Sequence, residues 1–192
     1  MSIVALVSGE ALRPWLDTTL FNAIHPAVRP GPSMLVVSKA FAVVPLFLSY
    51  AVLLLVLLVT RAKGILVEAV AALSLALVFN WFLGRVWYQP RPFLTPGVQA
   101  WVHHAATSSF PSDHLTIHWC IAGVLIGHRR TRVIGVAVAL LGLPMAWGRI
   151  YLGVHYPGDM LGAALVAACF ASVAVFIGRK SASWLRLGAR DS

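Results

Sequence analysis

The sequence predicts an all-α integral membrane protein, a helical bundle of about five to six transmembrane helices with an N-terminal interfacial helix. Three observations carry this expectation. The 192 residues are 59% hydrophobic and 11% charged, with a mean hydropathy of +0.84, more apolar than a soluble domain of this size needs for its core. Apolar runs recur at 35–59, 65–83, 114–127, 133–147 and 158–177, and a helix crosses a bilayer with about 20 such residues. The charged side chains gather mainly in the segments between these runs.

Taken in chain order, Trp15–Ile24 (WLDTTLFNAI) mixes polar and apolar residues and leads into His25-Pro26 and Arg29-Pro30-Gly31-Pro32, the pattern of an interfacial amphipathic helix followed by a turn. Glu10, Arg13, Pro14, Asp17 and Arg29 leave no basic start and no unbroken apolar stretch for a cleavable signal peptide, so the N-terminus is expected to stay on the mature protein. The runs at 114–127 and 133–147 are short and reach across a bilayer only if their ends extend into the flanking loops. The run at 158–177 holds Gly162, Ala163, Ala164, Ala167 and Ala168, which permit close helix packing within one protomer or between two. The oligomeric state is left open. One domain is expected over 1–192: an interfacial segment 1–33, a transmembrane core 34–178 and a basic cytoplasmic tail 179–192.

The formal net charge is +9, but the 15 basic residues are scattered singly or in short loop clusters, which reads as membrane topology and not as nucleic-acid binding. With five spans, Arg61 and Lys63, then Arg129, Arg130 and Arg132, then Arg179, Lys180, Arg186 and Arg190 all fall on one side, expected to be cytoplasmic. The segments 84–112 and 149–157 fall on the other. Cys120 and Cys169 lie inside apolar runs and fit neither a zinc site nor a disulfide framework.

Three polar clusters on that second side hold the chemistry: Arg85 with Gln89-Pro90-Arg91-Pro92, then Phe110-Pro111-Ser112-Asp113-His114, then Gly148-Arg149 followed by His155 and Asp159. Each has a plainer reading taken singly, Arg91 as an interfacial anchor, Ser112 as a helix N-cap, His155 as a hydrogen-bonded loop residue. Together they supply the parts of one phosphoryl-transfer site. Phosphoryl transfer needs charge on the equatorial oxygens, an in-line nucleophile and a proton donor for the leaving oxygen. Arg91 and Arg149 suit the first task, because a guanidinium is permanently charged and binds phosphate bidentately. The segment Pro111–His114 opens an apolar helix whose free amides and dipole favour a phosphate, with the Ser112 hydroxyl as a further donor and Asp113 and Arg85 beside it. Asp159, four residues after His155, accepts a hydrogen bond from one ring nitrogen and leaves the other unprotonated to attack. His114 then acts as general acid and afterwards as the base that activates water. No cofactor and no metal are expected, since hard cations take several oxygen ligands and, past the N-terminal segment, this face offers only Asp113 and Asp159. His103 and His104 are expected to be ordinary polar loop residues, and Trp87, Tyr88, Phe93 and Trp101 an interfacial aromatic belt.

These motifs resemble the type-2 phosphatidic acid phosphatase superfamily, whose pattern is Lys-x6-Arg-Pro, Pro-Ser-Gly-His and Ser-Arg-x5-His-x3-Asp. Arg91-Pro92, then Pro111-Ser112 with His114, then Arg149, His155 and Asp159 match it in order and spacing. Gly84 stands where the family has its lysine, Asp113 replaces the second-motif glycine, and Gly148 replaces the serine before Arg149. The runs His103–His114 and Tyr151–Asp159 are similar to the bacterial undecaprenyl-diphosphate phosphatases of the bacitracin-resistance type. The resemblance implies the same residue roles, a multi-pass protein of the bacterial inner membrane with its site facing the periplasm or outside, and removal of the terminal phosphate from a C55 carrier lipid for recycling. The rival readings are a phosphatase of phosphatidic acid, phosphatidylglycerol phosphate or lipid A, and a non-catalytic membrane protein of the same fold. A vanadate-dependent haloperoxidase shares the anion-binding motifs but needs a soluble body.

Overall fold

A computed structural model describes the backbone of residues 15–188 and the side chains of 17–181; the rest of the chain, including positions 1–14 of the N-terminal segment and 189–192 of the tail, lies outside the described residues. The described chain is helical: α1 (Trp15–Ile24), α2 (Pro32–Thr60), α3 (Lys63–Val86), a 3-10 turn (Pro92–Leu94), α4 (Asp113–Gly127), α5 (Arg132–Tyr151) and α6 (Pro157–Gly188). The four helices α2, α3, α5 and α6 are long and apolar enough to cross a membrane. The segment 133–147 gains its length at the polar end, where α5 continues through Gly148 and Arg149. The expected tail is no separate element over 179–188, because α6 continues through it.

Helix α4 has 15 residues, about 22 Å of rise against a hydrocarbon layer of about 30 Å. It sits at the centre, touching α2, α3, α5 and α6. Leu115, Ile121, Val124 and Leu125 are fully buried on it, so little of its length has to meet lipid. The outer helices turn large apolar side chains outward, among them Phe47, Leu54, Val78, Leu143 and Phe176, as a bilayer requires.

In lipid the helices are drawn together by close packing, and small residues set the approach. Ala163, Ala167 and Ala171 of α6 are buried, and Gly123 of α4 comes so near Ala171 that an added Cβ would stand 2.7 Å away. Most of the small residues of 158–177 therefore pack within the protomer, Ala168 being exposed. Gly148 brings α5 against the backbone of α2, and a Cβ there would lie 2.7 Å from the Ser38 carbonyl oxygen and 2.8 Å from the Ala42 nitrogen. Nothing but glycine fits without moving a helix.

The helices alternate in direction, so the ends at Pro32, Val86, Asp113, Tyr151 and Pro157 share one end of the bundle. At the opposite end His128 Nε2 lies 2.5 Å from the Glu68 carboxylate, and Arg179 donates to the Gly127 carbonyl. The basic clusters thus share an end away from the polar motifs. Helix α1, expected to lie in the interface, docks onto α5 and α6: Asp17 Oδ1 accepts from the Gly158 amide at 2.7 Å, and Phe21 is buried against Tyr156.

Gly148→Ser is expected to push α2 from α5 and destabilise the fold by about 1–3 kcal/mol. A lower unfolding midpoint in detergent, with reduced phosphate release because Arg149 is adjacent, is the result to look for; an unchanged midpoint would mean that the two helices part freely.

Candidate active site

Three segments converge where the helix ends meet. The loop after α3 carries Arg91 and folds back on itself, with the Ser109 amide donating to the Gln89 carbonyl at 2.8 Å and the Gln89 amide to Ser108 Oγ at 3.2 Å. Arg91 is buried, and all five of its N–H groups are engaged. Nε donates to the Thr107 carbonyl (3.1 Å), one terminal nitrogen to the Val154 carbonyl (2.9 Å) and His155 Nε2 (3.1 Å), the other to Thr107 Oγ1 (3.2 Å) and the Ser108 carbonyl (3.1 Å).

The second segment is the turn between α5 and α6. The Leu152 amide closes on the Gly148 carbonyl, and Gly153 takes a positive φ of 77°, a conformation glycine adopts without strain. The turn carries His155 back to Arg149, whose terminal nitrogen lies 3.3 Å from His155 Nε2. An arginine only donates, so two arginines converging on Nε2 make it an acceptor and place the ring proton on Nδ1. Nδ1 faces Asp159 Oδ2 at 3.2 Å. That carboxylate oxygen also accepts from the Tyr156 amide at 2.8 Å and from the Ser109 hydroxyl in a short hydrogen bond. His155 is 2% exposed and Asp159 1%. Burial, followed by the charges of Arg149 and Arg91 with smaller contributions from His104 and His114, holds the His155 pKa well below its ordinary 6.5, so the ring is neutral near pH 7. Burial also lowers the pKa of Arg91, and the Asp159 and Asp113 charges oppose this.

The third segment opens α4. Ser112 does not cap the helix with its side chain: Oγ is fully buried with no hydrogen-bond partner among the described residues, while its amide donates to the Asp159 carbonyl at 3.3 Å. The plain N-cap reading therefore gives way to a hydroxyl free to donate. His114 lines a cavity of about 370 Å³ together with Arg149, Val154, His103, His104 and Lys39. Buried Arg149 Nε has no partner among the described residues, so this guanidinium keeps a donor to offer.

Arg91, Arg149, His114, His155 and Asp159 are thus brought to one place, with Ser112 beside them. Arg85 is not brought there. It is exposed, stacks on the Trp81 ring at 4.1 Å and lines a second hollow with Asp113, Asn80 and Ser108. Asp113 turns its carboxylate to Asn80 of α3, accepting from Nδ2 at 2.9 Å. Gly84, which stands at the lysine position of the family, packs against the loop, and a Cβ there would meet Ser108 Cβ at 3.1 Å.

Sequence reasoning missed four contributors. Ser109 and Thr107 carry no motif signal, because they act as hydrogen-bond partners of Asp159 and Arg91. His104, read as an ordinary loop residue, accepts from Arg149 at 3.4 Å with its ring 6.2 Å from that of His155, and burial lowers its pKa. Lys39 did leave a signal, being the single charged side chain between Arg29 and Arg61. Among the described residues no three His, Cys, Asp or Glu side chains form a group able to hold a metal.

Residues 65–182 match the PAP2 superfamily. Undecaprenyl-diphosphatase BcrC of Bacillus subtilis (strain 168) is 33% identical over 159 residues, 79% of either chain. The crystal structure of Aquifex aeolicus LpxE superposes with a TM-score of 0.69 at 26% identity, covering 83% of this chain and 94% of that one. That of a transmembrane PAP2 type phosphatidylglycerolphosphate phosphatase from Bacillus subtilis superposes at 0.63 and 20% identity over 93% and 94%, a likeness of fold alone.

Ser109→Ala removes one donor from the buried Asp159 carboxylate and is expected to lower kcat about 10–100-fold, the equivalent of one hydrogen bond to a charged group. Phosphate release by the folded variant measures it; full activity would show that Asp159 needs no support from the loop.

Proposed function

The chain belongs to the PAP2 superfamily and is a multi-pass membrane phosphatase, and we propose that it hydrolyses undecaprenyl diphosphate to undecaprenyl phosphate and inorganic phosphate through a phosphohistidine, with arginine and not a metal as the counter-charge. The observation that supports this most directly is the convergence of two guanidinium groups on the lone pair of a neutral, buried imidazole whose other nitrogen is held by Asp159. Similarity to an undecaprenyl-diphosphatase supports the choice of lipid.

The geometry supports the following chemistry. A phosphate oxygen is a stronger acceptor than an imidazole nitrogen, so an arriving terminal phosphate draws the Arg91 and Arg149 hydrogen bonds onto its oxygens and leaves Nε2 facing phosphorus. Arg149 Nε and Ser112 Oγ are further donors for that group. As the bond from Nε2 to phosphorus forms, the bond from phosphorus to the leaving oxygen of the lipid phosphate breaks, and His114 supplies a proton to that oxygen. Water then attacks the phosphohistidine with His114 taking its proton, which releases inorganic phosphate and restores His155. The Asp159 carboxylate stabilises the positive charge that develops on the ring.

The site lies at the end of the bundle opposite the basic clusters, and the tendency of Lys and Arg to stay cytoplasmic supports a site that faces outward from the bacterial plasma membrane. Release of phosphate there would recycle the carrier lipid. Phosphatidic acid, phosphatidylglycerol phosphate and lipid A present a similar phosphate and are the rival substrates.

In a panel of these lipids in detergent, undecaprenyl diphosphate is expected to give the highest kcat/KM; a clear preference for glycerolipid monophosphates would replace it. His155→Ala is expected to lose phosphate release by several orders of magnitude, and mass spectrometry of acid-labile phosphate should find the label on His155 alone. The pH profile follows from the lowered His155 pKa. A group with a depressed pKa stays neutral down to that pKa, so the acid limb of kcat/KM should lie well below pH 6.5. His114→Gln is expected to reduce kcat about 10²–10⁴-fold, read as phosphate release by the folded variant. An acid limb at or above pH 6.5 would contradict the neutral nucleophile.

A further inference from the structure

Two turns into α2, Lys39 projects from an otherwise apolar stretch and makes no hydrogen bond or ion pair among the described residues. With Ala42 and Val43 it forms the α2 wall of the cavity whose other walls carry Arg149, His104 and His114. It also lines an adjoining hollow of about 220 Å³ with Arg29 and Gln99. An ammonium in an apolar span is expensive unless it has water or an anion to face. Here it faces the reaction cavity.

A diphosphate brings two anionic groups, and the site so far described accounts for one. Arg91 has no N–H left for a second, and Arg149, with one terminal nitrogen at His155 and His104, turns its unpaired Nε to the terminal phosphate in the reading above. Arg85 stands in the other hollow against Trp81, and Gly84 is packed against Ser108, so no cation reaches the cavity from α3 at those positions. Charge nevertheless grows on the leaving phosphate as its bond to the terminal phosphorus breaks, and a cation placed there lowers the barrier. Lys39 is the remaining permanent cation on the cavity wall among the described residues.

We propose that Lys39 forms a second anion subsite, which holds the lipid-side phosphate of a diphosphate while the terminal phosphate sits between Arg91, Arg149 and His155. The inference rests on the diphosphate reading of the substrate. It assigns Lys39 a binding role that selects diphosphates over monoesters, with the lipid chain leaving along the Val43 side of α2, which is exposed.

Lys39→Gln and Lys39→Arg, assayed in detergent on undecaprenyl diphosphate and phosphatidic acid, test this together with product-type inhibition by inorganic pyrophosphate and orthophosphate. Lys39→Gln is expected to lower kcat/KM on the diphosphate about 10–100-fold and on the monoester by no more than about threefold, with Lys39→Arg recovering most of the loss. The pyrophosphate inhibition constant should rise about tenfold or more while that for orthophosphate stays put. The side chain is exposed, so the unfolding midpoint should not move. Equal losses on both lipids, or an unchanged pyrophosphate constant, would overturn the subsite. The pyrophosphate comparison involves no lipid, so a wild-type preference for phosphatidic acid would defeat the substrate reading while pyrophosphate against orthophosphate still decides on Lys39.

Discussion

The arrangement of the site depends on one guanidinium whose every donor is committed to the protein. Arg91 ties the loop carrying Thr107 and Ser108 to the turn carrying Val154 and His155. Arg91 is buried, so these five hydrogen bonds compensate the loss of hydration that an isolated charge would suffer. A lysine has three donors and no planar fork, and could not bridge both segments in this way. The Arg91 guanidinium is therefore also the clasp that keeps His155 in position.

The two arginines divide the work. Arg91 is saturated and fixes geometry, whereas Arg149 retains Nε without a partner and touches both His104 and His155. Between them they determine the protonation state of His155, because groups that can only donate force Nε2 to accept. Asp159 completes the assignment from the other side, and its own carboxylate is held by Ser109 and the Tyr156 amide. Such a chain of partners orients a group before substrate arrives, which is where preorganised electrostatic catalysis gains its advantage.

The bundle positions these groups by close approach, and Gly148 and Gly84, two of its departures from the family pattern, stand at such approaches. Gly148 lets α5 lie on the α2 backbone, with Arg149 as the next residue. Gly84 lets the Ser108 loop lie on α3, and that loop supplies three of the acceptors that hold Arg91. Asp17 of α1 reaches the Gly158 amide at the start of α6, so the N-terminal helix braces the turn that presents His155. Each is a contact between segments distant in the chain.

Much of this was legible in the residues themselves. Runs such as 35–59 and 158–177 announce membrane helices, since lipid demands an unbroken apolar surface with internally satisfied backbone. The spacings of Arg149, His155 and Asp159 announce their chemistry, because a short turn keeps near neighbours in sequence near in space. What the sequence could not disclose were partners lying many residues apart. That Ser109 serves Asp159, that His104 meets Arg149, that Arg85 turns to Trp81, and that Lys39 faces the cavity all depend on how helices rotate and loops fold back. Those outcomes are decided by packing between distant segments, which no local pattern of residue types encodes.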